Sequence, residues 1–514
     1  MSSAKNPLLR QDYPDPDVIR VDDTYYMIST TMHFLPGGVI LRSYDLLHWE
    51  IASYVFEELD NTPAQQLSGE ENIYGKGMWA ASLRCHKGTF YVCFVCNDTQ
   101  KTYLYQSKDF NGPWKKQEIE GFYHDCSLLF DDDDRVYIVY GNTQVYLTEL
   151  NAELTAPKTG GLHRMIVDDG KNPSLGYEGS HFYKINGRYY LFLIHSLREE
   201  WFRTEACFSS DSLEGEFAGG DVLCDDMGYL HSGVAQGGIV DTPEGDWYAV
   251  LFQDRGAVGR IPILMPVTWD SKTRNPIFGC DGKVPELMEI KSTRPEYSYE
   301  PLYTSDDFGY QTKADGKIHL KKPWQWNHTP QNKLWSVTER EHTLRLHSGK
   351  LCKELTQSYN TLTQRTKEPE SEAIVTLDGM GMNNGDVMGL AAFQGCYGAV
   401  ALRKEHDAFS VVMMERQSDA AELSEMDKAD GLCQVIERIP LENGLLRVKC
   451  ATSFNAGNDI AEFFFEQEGE WKKIGTEHKL YFKLDHFTGC RYGLFYYSTE
   501  IMGGYADFLN FIYQ

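Results

Sequence analysis

No stretch of the 514 residues approaches the roughly 20 consecutive apolar residues of a membrane-spanning helix, so no helical span is expected. Basic residues are scarce: 49 Lys and Arg stand against 75 Asp and Glu, a formal charge of −26. A surface of that sign repels phosphate backbones and anionic lipid, which argues against nucleic acid or a membrane as partner and leaves a neutral substrate unhindered. Twelve cysteines in so long a chain make no dense framework, and free, mostly buried thiols are expected. The one redox-like spacing, Cys93-Phe-Val-Cys96, falls in an aromatic strand pattern, where positions i and i+3 point to opposite faces. The opening Met-Ser-Ser-Ala-Lys-Asn-Pro lacks the apolar run of a secretion signal. A cytoplasmic location is the expectation, and the sequons at Asn97 and Asn327 are then idle.

What the chain does have is a repeat. A few β-forming residues, a tight polar turn and an aromatic strand recur at 17–27, 82–92, 127–138, 180–191 and 237–249, with starts 65, 45, 53 and 57 residues apart. That spacing fits one four-stranded propeller blade per copy. A second element, Ser-x-Asp, closes strands at Ser43-Tyr-Asp45, Ser107-Lys-Asp109 and Ser209-Ser-Asp211, and reads as turn chemistry. Five blades fill 1–298, and the proline-broken run 291–301 reads as a linker. From about Asp306 the texture changes to alternating strands such as Leu344-Arg-Leu-His347 and Leu446-Arg-Val-Lys449, with turns of Gly, Asn and Asp and no long helical period. The expected fold is all-β, a five-bladed β-propeller followed by a β-sandwich over 305–514.

The residues just before each copy are Asp15, Trp79, Asp125, Glu178 and Gln236. In a propeller the innermost strands ring one channel, so these positions meet at one mouth of it. Singly, Asp15 in Tyr13-Pro-Asp-Pro16, Asp125 in His124-Asp-Cys126 and Glu178 in Tyr177-Glu-Gly179 each read as a turn or surface acid. Three acids at one repeat-equivalent position point to a shared site. Such a cluster suits glycoside hydrolysis: one acid protonates the leaving oxygen, one carboxylate activates water or attacks carbon, and a third raises the acid's pKa by repulsion.

The runs Asn6-Pro-Leu-Leu9, Tyr13-Pro-Asp-Pro-Asp-Val-Ile-Arg20, Met78-Trp-Ala80, His124-Asp-Cys-Ser127, Tyr177-Glu-Gly179 and Gly259-Arg-Ile261 together resemble glycoside hydrolase family 43. The likeness is to its β-xylosidase/α-L-arabinofuranosidase type, which carries a concanavalin-like C-terminal sandwich. Trp324-Gln-Trp-Asn-His328, Leu334-Trp-Ser336 and Gly503-Gly-Tyr-Ala-Asp-Phe508 extend it through the second domain. The resemblance implies Asp15 as general base, Glu178 as general acid, Asp125 as the residue that tunes the acid, and Arg260 as the arginine that holds the sugar and the third carboxylate. It implies Trp79 and Phe34 as pocket walls, with blade core as the alternative for both.

The resemblance further implies inversion of configuration, no organic cofactor, and an oligosaccharide as partner. A homo-oligomer is compatible with the sequence. Many relatives carry a histidine before the fifth inner strand that helps hold a channel calcium; here Gln236 stands there, an amide suited to a water network. A structural calcium in the sandwich is expected from Asp306 or Asp307 together with Asp507. Two rivals are a retaining fructosidase and a non-catalytic sugar-binding protein. The first would want Asn-Asp-Pro-Asn, Arg-Asp-Pro and Glu-Cys where this chain has Pro-Asp-Pro-Asp, His-Asp-Cys and Glu-Gly. The second has no need of three positioned acids.

Overall fold

The computed structural model describes residues 2–170, 172–417 and 433–514. Among them there is no α-helix, only two short 3-10 turns at Gly256–Val258 and Leu355–Gln357. Five four-stranded antiparallel sheets make up the N-terminal part, each from strands consecutive in sequence except that the first sheet skips the short strand Phe34–Leu35. Their first strands are Asp17–Val21, Met78–His86, Ser127–Phe130, Glu178–Ile185 and Ala235–Asp241, and these touch one another in a closed ring. The expected five blades and their inner strands are therefore present. The second strands are flanked by neighbouring blades, which explains their lack of alternation: Thr24–Ser29 is buried at every position.

The polar turns of the repeat work through the backbone. In blades 2 and 4 the inner hairpins turn on Lys87-Gly88 and Asn186-Gly187, with all four residues at positive φ. Two-residue turns of that kind match the twist of the strands they join. Ser43 Oγ accepts the N–H groups of Asp45 and Leu46, while Asp45 Oδ1 accepts those of Leu47 and His48, so the Ser-x-Asp element is a turn there.

Side chains of the inner strands close the ring. Asp17 Oδ2 accepts Arg84 Nη1 and Leu83 N, both at 2.7 Å, and Asp17 Oδ1 lies 3.1 Å from His181 Nδ1. Arg84 Nη2 donates to Ser127 Oγ, and Tyr183 Oη takes the N–H of Ile239. One buried network thus joins all five blades. The chain ends of the propeller are tied separately, by pairing of Ser2–Lys5 with Leu287–Ile290 and by Asn6, whose amide bonds Leu264 and Pro285. The linker folds back on blade 1, where Tyr297 and Glu300 N bind Glu50.

The change of partner falls between Ile290, still paired with the N-terminus, and Asp306, which exchanges two backbone hydrogen bonds with Phe511 of the sandwich. Two sheets build the second domain. One runs Trp335–Ser336, Leu344–His347, Tyr505–Tyr513, Glu370–Asp378, Leu445–Ser453, Ile460–Gln467, Glu470–Lys473. The other runs Cys433–Leu441, Ala408–Arg416, Gly398–Glu405, Asp386–Phe393, Arg491–Ser498, Leu362–Arg365, Gln325–Asn327. Here the period of two is visible: Leu446, Val448, Cys450 and Thr452 face the core while Arg447 and Lys449 face outward.

The second sheet has one more strand, and it comes from the propeller. Phe34–Leu35 pairs with Trp326 and Asn327 at the sheet's edge. Phe34 is therefore not a pocket wall. Its ring is 1 % exposed, packed with Leu355, Phe393 and Tyr397 of the sandwich under the Arg491 guanidinium. The apolar ring gains more from that seam than from an open pocket.

Candidate active site

Asp15, Asp125 and Gln236 have φ of 52°, 47° and 56°, and in the other two blades a glycine at positive φ, Gly77 or Gly179, lies next to or within the start of the inner strand. A left-handed residue thus precedes or opens every inner strand. Holding a non-glycine residue there costs about 1–2 kcal/mol, and such outliers gather at functional sites. Around this mouth the three predicted acids come together. Asp15 is buried, its Oδ1 bound to Arg260 Nη1 and its Oδ2 to Thr30 Oγ1, both at 2.7 Å. Glu178, partly exposed, accepts the Asn142 amide at Oε2, with His124 Nε2 3.4 Å from the same atom. Asp125 Oδ2 lies 3.7 Å from that nitrogen.

The electrostatics differ from acid to acid. Burial pushes the Asp15 carboxyl up from its ordinary value, against the Arg260 charge and the Thr30 hydrogen bond, which favour the anion. Burial also pushes Asp125 up, to about 6; His124 and Arg260 oppose the shift, and the charges of Glu178 and Asp15 reinforce it. The Asp125 charge in turn raises His124 to about 9 against burial, helped by Glu178. Asp15, held by a cation and a hydroxyl, is equipped to take a proton from water. Glu178, on the other side, faces a donor set that can supply one.

Arg260 does hold a carboxylate, and it is that of Asp15. Its backbone N–H is anchored on Asp12 Oδ1 at 2.8 Å. Trp79, half-buried, stands 5.7 Å from the His124 ring and 5.7 Å from Phe487, so it joins the site. The Gln236 side chain covers Gly179: a Cβ there would come within 2.7 Å of it, so only glycine leaves room for that side chain.

Four contributors escaped the sequence: Thr30, Asn142, His124 and Phe487. Thr30 carries no motif of its own. His124 sits next to a predicted acid, and that adjacency was its available signal. Phe487 belongs to the other domain: its ring lies against Arg260 and Trp79, and its carbonyl accepts Arg260 Nη2 at 3.5 Å. The segment bearing it is clamped to the propeller by Gly489 N to Asp12 Oδ2 and Cys490 N to the Ala257 carbonyl, each 2.8 Å. Gly489 has no room for a side chain, since a Cβ would lie 2.1 Å from the Val258 carbonyl oxygen.

The proposed metal ligands do not converge. Asp507 gives both oxygens to Arg345 at 2.7 and 2.8 Å and one also to Arg340 at 2.9 Å. Asp306 serves Trp324, Tyr310 and its own turn, and Asp307 pairs with His342. Two guanidiniums already neutralise Asp507, so these residues do not fit calcium. Among the described residues the one tight set of three potential donor groups is His124, Asp125 and Glu178, within 4.8 Å of one another.

Comparison with known proteins is consistent along the whole chain. Residues 4–273 match the model described as glycosyl hydrolases family 43, and residues 316–514 the one described as beta xylosidase C-terminal concanavalin A-like domain. A beta-xylosidase of Formosa agariphila is 26 % identical over 99 % of this chain and 90 % of its own. A non-reducing end alpha-L-arabinofuranosidase of Bacteroides ovatus is 28 % identical over 66 % of this chain and 64 % of its own. Among solved structures, a bifunctional GH43-CE protein of Bacteroides eggerthii superposes with a TM-score of 0.90 at 38 % identity; the match covers all of this chain and 64 % of that one. An engineered GH43 enzyme with endo-xylanase and exo-arabinofuranosidase activity superposes with a TM-score of 0.86 at 26 % identity, with full coverage of both chains.

Proposed function

Since the chain belongs to glycosyl hydrolases family 43 and is a glycoside hydrolase, we propose that it is an inverting, exo-acting enzyme that removes terminal β-D-xylosyl or α-L-arabinofuranosyl units from short hemicellulose oligosaccharides. The observation that carries this is the gathering of Asp15, Asp125 and Glu178 at one mouth of the propeller, with Arg260 on Asp15 and His124 between the other two. Asp15 takes the proton of a water that attacks the anomeric carbon directly. Glu178 protonates the departing oxygen from the other side. Asp125, kept high by burial and by its carboxylate neighbours, adjusts the proton balance of that side. The Phe487 ring closing over Trp79 and Arg260 favours a pocket that takes a chain end over a groove that takes a chain middle. The two sugars present similar hydroxyls around the reacting carbon, so one site serves both. A cytoplasmic place, acting on imported oligosaccharides, draws support from Cys93 and Cys126, whose sulfurs lie 3.6 Å apart as free thiols.

Hydrolysis of 4-nitrophenyl β-xyloside and 4-nitrophenyl α-L-arabinofuranoside, followed from the first minutes by proton NMR, tests the reading. A β-xyloside should release α-xylose before mutarotation scrambles it. If β-xylose appears first, Asp15 is a nucleophile and the mechanism is wrong.

A further inference from the structure

His124 touches both carboxylates on the acid side of the site, 3.4 Å from Glu178 Oε2 and 3.7 Å from Asp125 Oδ2. Asn142 donates to the same Glu178 oxygen, and Thr143 Oγ1 donates to Asn142 Oδ1 at 3.0 Å. The two carboxylates beside it favour the charged imidazole, so at rest this side of the site carries a proton on His124. Yet the leaving oxygen must receive a proton from this side. Resting on the glycosidase reading with Glu178 as acid, we propose that His124 is a positioning residue that stores the proton Glu178 delivers, so that the whole trio sets the alkaline limit of activity.

The groups facing the imidazole agree with this. Asp125 and Glu178 both favour its charge, Cys126 adds to it, and the Trp79 ring stands 5.7 Å away. Arg260 and Asp15 act on Asp125. With the imidazole raised to about 9 and Asp125 to about 6, the trio keeps a proton across the interval between them. A lone carboxylic acid in water gives its proton up near ~4.3.

The cycle balances. A proton leaves Nε2 of His124 for the Glu178 carboxylate and passes to the glycosidic oxygen as the bond from that oxygen to the anomeric carbon breaks. The attacking water forms its bond to that carbon and gives its proton to Asp15. Neutral imidazole and protonated Asp15 remain. Asp15 releases its proton to solvent and His124, with 22 % of its side chain exposed, takes one up, so none is consumed.

The test compares the full chain with His124→Asn on two substrates of one glycone, xylosyl or arabinofuranosyl, whichever the parent turns over faster. One is a disaccharide, whose leaving group needs the proton; the other is a 2,4-dinitrophenyl glycoside, whose leaving group does not. For the disaccharide, kcat/KM of the parent should hold to about pH 9 and that of the variant should fall at lower pH, so their ratio grows about tenfold per pH unit between the two limits. The ratio for the dinitrophenyl glycoside should stay within about threefold throughout. A disaccharide ratio that does not change with pH overturns the proposal and leaves the glycosidase reading standing. No turnover by the parent on either glycone overturns both. Should the variant not fold, carbon NMR of histidine-labelled parent decides. The signal displaced by Glu178→Gln should titrate near pH 9, and a midpoint at or below 6.5 overturns the proposal.

Discussion

The Phe487 ring, carried by the sandwich, lies 4.3 Å from the guanidinium carbon of Arg260, the propeller residue that grips Asp15. The site is therefore shared between domains. The sandwich contributes a wall and, through Gly489 and Cys490, helps to fix the Asp12–Arg260 anchor. Phe487→Ala should lower kcat/KM by about tenfold, in the range of a partly desolvated cation–π contact, mostly through KM. Unchanged kcat/KM would assign the loop a purely structural role.

The two sides of the site should separate kinetically. Asp15→Asn should cost roughly 10³-fold or more on every substrate, since no other group on its side takes the water's proton. Glu178→Gln should be far milder with a dinitrophenyl leaving group than with an oligosaccharide. Equal losses on both substrates would remove Glu178 from the role of acid.

Chelation should change neither initial rate nor Tm. Asp507 is taken by Arg345 and Arg340, Gln236 lies over Gly179, and the Arg84 guanidinium already supplies a cation to Asp17 among the inner strands. A prompt, calcium-reversible loss of rate at unchanged fold would contradict this and place a metal in the channel.

The seam between the domains should be acid-sensitive. His33, His328 and His486 meet there, with the His33 ring 5.1 Å from His328 and 5.5 Å from His486 and no partner on either nitrogen of His33. Burial pushes all three below the usual 6.5, His486 to about 4; Asp485 pulls His486 back, while Lys350, Arg416 and Arg491 add to the depression. As pH falls through 6.5 the unfolded chain binds protons that the folded one refuses. Each histidine's contribution, fully present above 6.5, then declines by about 1.4 kcal/mol per pH unit until its folded value is reached. Thermal melts at pH 8, 6 and 5 should show the parent losing more stability on acidification than His33→Phe. The comparison cancels other titrating groups, such as the buried Glu205, whose raised pKa acts in the opposite direction. Equal losses in both proteins would place the sensitivity elsewhere.

Much of this molecule is local and therefore legible in sequence. Lys87-Gly88 and Asn186-Gly187 specify their hairpins through backbone conformation alone, and five such units at blade spacing specify a ring. Equivalent positions of a ring must meet, so Asp15, Asp125 and Glu178 could be placed together before any coordinates. Phe34 and Asp507 were misread because side-chain fate depends on distant partners. Phe34 follows the same strand pattern whether it faces sugar or Phe393, and only the docked sandwich decides. Asp507 has the oxygens calcium needs, but Arg345, 162 residues away in sequence, reaches them first. Phe487 lies 227 residues from Arg260, with no periodicity to link them. The sequence by itself determined the blades, the ring and the three acids, because turn chemistry and repeat symmetry act over a few residues. The pairing of Arg260 with Asp15, the proton-bearing place of His124 and the wall from the second domain were decided by tertiary structure, because charge, burial and ring contact depend on distance in space.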